Sequence, residues 1–185
     1  MRRTIIAPAD PGAAALAELK DWLAIRTAAE DAMLGRLLAS ALEACEAFTG
    51  TMPLVQTCAE VLPASAEWQR LSARLVSAVS HVDGLPADGG TIALAGDAYQ
   101  VDIDADGTGL VRVLRPGAAG RIEVRYTAGL AAQWSGLPEA LRHGAVRLAA
   151  HLYRSRDSGE DSAARAAVPA AVAALWRPWR AVRLA

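Results

Sequence analysis

VDIDADGTGLVRV, residues 101–113, has two incompatible readings. Asp102, Asp104 and Asp106 alternate ahead of Gly107, as in a calcium-binding loop between two helices. Such a loop takes oxygens from positions 1, 3, 5, 7 and 9 and closes the shell with a bidentate Glu at position 12. Counting from Asp102, position 12 is Val113, which offers no side-chain oxygen. The flanks are not helical either. Tyr99, Val101 and Ile103 alternate with Gln100, Asp102 and Asp104, and Val111 and Val113 flank Arg112, the two-residue period of half-buried strands. Asp104–Gly109 therefore reads as the connection of a β-hairpin, where Asp and Gly tolerate left-handed backbone angles.

Working outward, the whole middle of the chain, 53–127, is β-rich. Val55, Leu75–Val82, Ile92–Leu94, Tyr99–Ile103, Leu110–Leu114 and Arg121–Tyr126 are candidate strands, punctuated by Gly84, Gly89-Gly90, Gly107, Gly109 and Pro116-Gly117. In the last of them Ile122, Val124 and Tyr126 face one way and Arg121, Glu123 and Arg125 the other. That outward face is expected to pair with Asp102 and Asp104 across the sheet.

Helices flank this region. The first dozen residues, with Pro8 and Pro11, read as an arm or irregular lead-in. Leu16, Leu19 and Leu23 then share a helical face. Thr27-Ala-Ala-Glu30 matches a capping box, and Leu34, Leu37, Leu38, Ala41, Cys45 and Phe48 repeat at helical period up to a stop at Gly50. Pro138 opens a further helix whose buried side is Leu137, Leu141, Ala145, Leu148 and Leu152. The expected class is α+β: helices at 14–48 and 138–154 packed with an antiparallel hairpin or meander region, in a domain over 1–155. Residues 156–185 form a polar linker and an extended C-terminal arm, with a short helix from Pro169 to about Trp176.

Composition narrows the function. The 185 residues carry a formal net charge of −1, which gives no global pull toward nucleic acid or membrane. No run reaches the roughly 18–20 apolar residues of a membrane span, and no secretion signal is visible. Cys45 and Cys58 fit buried free thiols on a helix and a strand. His81, His143 and His151 are too dispersed for a metal motif. There is no HExxH, no GxSxG and no phosphate-binding GxxxxGK[ST], so no catalytic, cofactor or metal residue is assigned. An unrecognised small enzyme or metal-binding module stays only as the alternative class.

The sharpest feature is the tail LWRPWRAVRLA, 175–185. Trp and Arg dominate binding hot spots through large desolvated area and forked hydrogen bonding. Either Trp176 and Trp179 fold back onto the chain's own core, or they anchor a partner; nucleic-acid stacking is a weak third option with only three basic residues. Tail physics alone leaves the first two open.

Four segments, in order, resemble the head–tail connector (adaptor) proteins of long-tailed bacteriophages and phage-like gene transfer agents. They are Ala17–Leu23; Asp31, Leu34, Leu38, Ala41, Glu46, Thr49 and Gly50; Val124-Arg-Tyr126-Thr-Ala-Gly129 with Leu137-Pro138; and His151-Leu-Tyr153-Arg154-Ser-Arg156 with Val168-Pro169…Leu175-Trp-Arg-Pro178-Trp179-Arg180…Arg183-Leu184. Ala170 stands where the pattern has glycine, and Trp179 where tyrosine is commoner. The resemblance implies a structural virion protein, not an enzyme and without cofactor. It implies a homo-oligomeric ring, dodecameric in expectation, beneath the portal protein, which passes DNA without reading it and docks the next neck or tail protein. Assembly would take place in the host cytoplasm and the mature site would be the virion neck. Another neck or tail-completion role is the nearest alternative. It further implies that the terminal arm reaches the portal through Trp176, Arg177, Trp179, Arg180, Arg183 and Leu184.

Overall fold

The computed structural model describes residues 2–156 and 168–180. The expected linker beyond Arg156, and Arg183 and Leu184 at the tail, lie outside the described residues. Two compact units emerge, Met1–Ala9 with Val55–Gly129 and Asp10–Leu54 with Leu130–Ala185. The fold is α+β, with antiparallel sheets in the first unit and helices in the second.

The first unit holds strands β1 (Arg2–Ala7), β2 (Gln56–Pro63), β3 (Gln69–Arg70), β4 (Val76–Pro86), β5 (Ile92–Ala93), β6 (Tyr99–Ile103), β7 (Gly109–Val113) and β8 (Ala119–Ala128). Five form one sheet in the order β1-β2-β8-β4-β5, and three form another, β3-β7-β6. The lead-in expected at the N-terminus is thus an edge strand, pairing Thr4 with Ala59 and Ile5 with Cys58. Its three apolar residues, Ile5, Ile6 and Ala7, are too few to signal a strand, and β2 supplies the missing pairing. β8 sits centrally, with Ile122, Val124 and Tyr126 fully buried, as its alternation requires.

β6 and β7 form the expected hairpin, with Val101 opposite Val111 and Ile103 opposite Gly109. Gly107 takes φ +77, a left-handed angle that L side chains rarely adopt, and its amide donates to the Asp104 carbonyl at 2.8 Å. The pairing expected between this hairpin's acids and β8 does not form, because β6 and β8 belong to different sheets. Arg125 pairs with Glu123 of its own strand at 2.8 Å, and Arg112 donates to Gln100.

Inside this unit lies a carboxylate that sequence reading passed over. Glu60 on β2 is fully buried, and its Oε2 accepts from the Ser72 amide (2.9 Å), the Ser72 hydroxyl (2.8 Å) and the Tyr126 phenol (3.0 Å). Burial, then the Glu60 charge, pushes the Tyr126 phenol well above its ordinary range. The cluster ties the loop after β3 to the central strand through otherwise orphaned polar groups.

The second unit contains α1 (Gly12–Leu23), α2 (Asp31–Thr49), α3 (Glu139–Ser155) and α4 (Ala170–Trp176). α2 buries Leu34, Leu38, Ala41, Leu42 and Cys45, and Gly50 ends it at φ +77 with its amide on the Glu46 carbonyl. Desolvation pushes the Cys45 thiol up to about 12, consistent with an inert core residue. The capping box does not form. α2 begins at Asp31, not after Thr27, and no side chain caps it. Glu30 turns elsewhere, accepting from the Tyr153 hydroxyl (2.7 Å) and Arg156 (3.0 Å) at the far end of α3. Charge-assisted bonds to the last turn of α3 outcompete one amide of the capping box.

Candidate partner-binding surface

The C-terminal segment is built on one small residue. Pro169 takes extended angles (φ −56, ψ 143) and precedes α4, whose Val172 and Trp176, four apart, share the buried face. Trp176 is 0% exposed and lies against Gly144 of α3. A Cβ at 144 would come within 2.8 Å of the indole Cε2 and 2.9 Å of Cδ1, a spacing real side chains do not tolerate. Only glycine makes that hole. The indole Nε1–H donates a long bond, 3.4 Å, to the Leu141 carbonyl. Phe48, near the end of α2, closes the socket with its ring tilted at 6.0 Å from the indole.

The structure therefore separates the residues that sequence reading grouped. Trp176 turns inward, so the expectation that it contacts a partner gives way to an anchoring role in the described conformation. The reason is physical: a fully buried Trp gains the transfer free energy of a large apolar surface, and its one polar group has an acceptor on hand. Beyond it, Arg177–Trp179 forms a 3-10 turn with Pro178 inside it. Trp179 is 39% exposed, and Arg177 and Arg180 are exposed. The Arg180 guanidinium stands 5.4 Å from the Phe48 ring centroid. That stacking holds one cation against the ring that closes the Trp176 socket. Arg183 and Leu184 lie outside the described residues.

Sequence reasoning passed over Gly144 and placed Phe48 only on the apolar face of its helix. A glycine inside a strongly amphipathic helix was the available signal, because such a residue weakens the helix unless something packs closely there. Among the described residues no group of three or more His, Cys, Asp or Glu could hold a metal ion, and no helix is long and apolar enough to cross a membrane. What the surface offers is an exposed Trp179 that lies in sequence between the exposed Arg177 and Arg180, just after the socketed Trp176. That chemistry binds and positions.

Neither a family model nor a curated protein matches the sequence. Solved structures do. A chain from the neck of an empty gene transfer agent (GTA) particle computed with C6 symmetry is 30% identical, with all of this chain and 98% of that one covered and a TM-score of 0.75. This chain belongs to the family of that neck chain. A chain from the neck of a native GTA particle computed with C12 symmetry is 29% identical, with a TM-score of 0.74 and the same coverage. A third, from the virion of a native GTA particle, is 28% identical with a TM-score of 0.73. Because the coverage runs end to end, the likeness takes in both units of this neck-family chain and its terminal helix.

Proposed function

We propose that this chain is a head–tail connector of the adaptor kind. Copies form a ring beneath the portal, extend the DNA channel, and dock the next neck or tail protein. The observation that carries the reading is the end-to-end match to neck chains at 29–30% identity. The ring draws support from the C6 and C12 symmetries of the assemblies that hold the relatives, and twelve copies is the stoichiometry proposed. The chain is made in the host cytoplasm and ends in the virion neck. DNA passes through unread, since a channel must let it slide and sequence reading needs base-edge contacts.

Portal docking is assigned to Trp179, Arg177 and Arg180, with Arg183 and Leu184 continuing the contact, while Trp176 holds the segment in place. Truncating the tail at 175 removes that anchor as well as the contacts, so it confounds folding with binding. The informative variant is Trp179→Ala with Arg177→Ala and Arg180→Ala. Losing a buried aromatic anchor at an interface costs about 2 kcal/mol or more per contact. The triple variant should keep its melting temperature within a few degrees and no longer co-migrate with purified portal protein on gel filtration. Undiminished co-migration would refute the docking assignment. A wild-type chain that binds another neck component and not portal would point to a different completion role in the same neck.

A further inference from the structure

The β6–β7 hairpin has an apolar face that is covered on one strand and open on the other. Tyr99, Val101 and Ile103 of β6 share a sheet face with Val113, Val111 and Gly109 of β7. On β7 that face is sealed, with Val111 and Val113 buried. On β6 it is open: Val101 is 42% exposed and Ile103 38%. β6 is also an edge, the last strand in the order β3-β7-β6. Its hydrogen-bonding direction can be read from the turn. The Asp104 amide donates to the Thr108 carbonyl at 2.9 Å, so alternation turns the amides of Asp102 and Gln100 toward β7 and those of Val101 and Tyr99 away from it. The outward Ile103 amide is taken by the carboxylate of Asp102 at 2.8 Å.

Open edges invite pairing, and folded proteins guard them with bulges, short strands or cover. The other edges here are so guarded. β3 and β5 have two residues each, and β5 covers one end of β4. β4 is irregular in register at Ser77 and Ser80, whose hydroxyls bond back to the Thr127 and Arg125 carbonyls. β1 is the exception. It runs six residues with a single register shift after Ile5, and exposes Ile5 and Ile6. Charge distinguishes the two open edges. β6 and its turn carry Asp102, Asp104 and Asp106, whereas β1 starts Arg2-Arg3 and has no acid. Pairing β6 with β6, or β1 with β1, crowds like charges, which is unfavourable. Antiparallel pairing of β6 with β1, with Val101 opposite Ile5, brings the acidic end of β6 to the basic start of β1.

We infer that β1 of one copy adds to the free edge of β6 on the next copy, covering Val101 and Ile103. The occupant is thus a second copy of this chain. The inference rests on the ring proposed above and supplies its seam: two different patches joined head to tail generate a ring when the rotation closes.

The test uses the full chain with benzoylphenylalanine, a photo-crosslinker, in place of Val101. A mixture of isotopically heavy and light protein is irradiated and then digested with trypsin. The expected product is a heavy–light crosslink onto residues 4–20, the peptide that carries Thr4–Ala7 of β1. Crosslinks confined to one chain, onto another segment of a second copy, or onto portal protein would overturn the seam. Val101→Pro removes an outward amide without touching the β6–β7 ladder, so it should melt like wild type and lose at least tenfold in ring assembly seen by electron microscopy. Wild-type ring yield from that variant would sink the seam and leave the ring standing. Absence of rings from the wild-type chain, alone and with portal protein, would sink both.

Discussion

A methyl group at position 144 has nowhere to go. Gly144 is buried in α3 under the Trp176 indole, and the indole is held in turn by the Phe48 ring and the Leu141 carbonyl. Gly144→Ala forces the tryptophan out or the helices apart, and overpacking of this kind costs about 1–3 kcal/mol. The urea midpoint should fall accordingly, and the Trp176 indole N–H, followed by NMR, should lose its protection from hydrogen exchange. Unchanged protection in the alanine variant would mean that the socket does not depend on that glycine. The same pair marks how far the sequence could be read at this scale. Trp176 and Trp179 were conspicuous as residue types, but inside and outside differ only through a hole on another helix, 32 positions before one of them. No local pattern encodes that match. Glu60 was illegible for the same reason, because its partners Ser72 and Tyr126 arrive from other segments.

At the scale of elements, periodicity was a faithful guide wherever one face is buried. β8 alternates as its sequence does, and α2 and α3 bury Leu34, Leu38, Ala41, Leu141, Ala145 and Leu148 of the expected faces, with Leu37 and Leu152 half-buried. It failed where a neighbour supplied the stabilisation. β1 is a strand because β2 is beside it, and the α2 start shifted because Glu30 found Tyr153 and Arg156. That clamp has a pH signature. The hydrogen bond from Tyr153, then the one from Arg156, holds the Glu30 carboxyl below its ordinary value of 4.5. A depressed folded value means that the unfolded chain takes up the proton first as pH falls. The clamp's contribution is therefore complete above about pH 4.5 and is lost as pH drops through the folded value. Thermal melts of wild type and Glu30→Gln should run apart near neutral pH and converge below that window. Curves that stay parallel through the acid range would rule the clamp out as a source of acid sensitivity.

At the scale of the whole molecule, residues 55–129 of the β-rich unit interrupt the helical unit in sequence. The chain leaves the helices at Leu54 and returns at Leu130, and the two ends are already joined by the Leu130 amide on the Met52 carbonyl (2.9 Å), the Ala131 amide on the Pro53 carbonyl (3.1 Å) and a parallel bridge from Leu54 to Ala131. Ends held this close can be reconnected at small entropic cost, since loop closure depends only weakly on length. Leu19, Leu34, Leu38, Cys45, Ala145, Leu148 and Trp176 of the helical unit are all buried. Joining residues 10–54 to 130–185 through a short Gly-Ser link should then give a helical protein that melts cooperatively and keeps the Trp176 indole N–H protected. If the terminal turn docks portal as assigned, this reduced chain should still bind portal, yet form no rings, because both strands of the inferred seam have been removed. A shortened chain that is molten, with an unprotected indole, would show that the helices need the sheets to fold. Ring formation by a folded one would move the seam onto the helices.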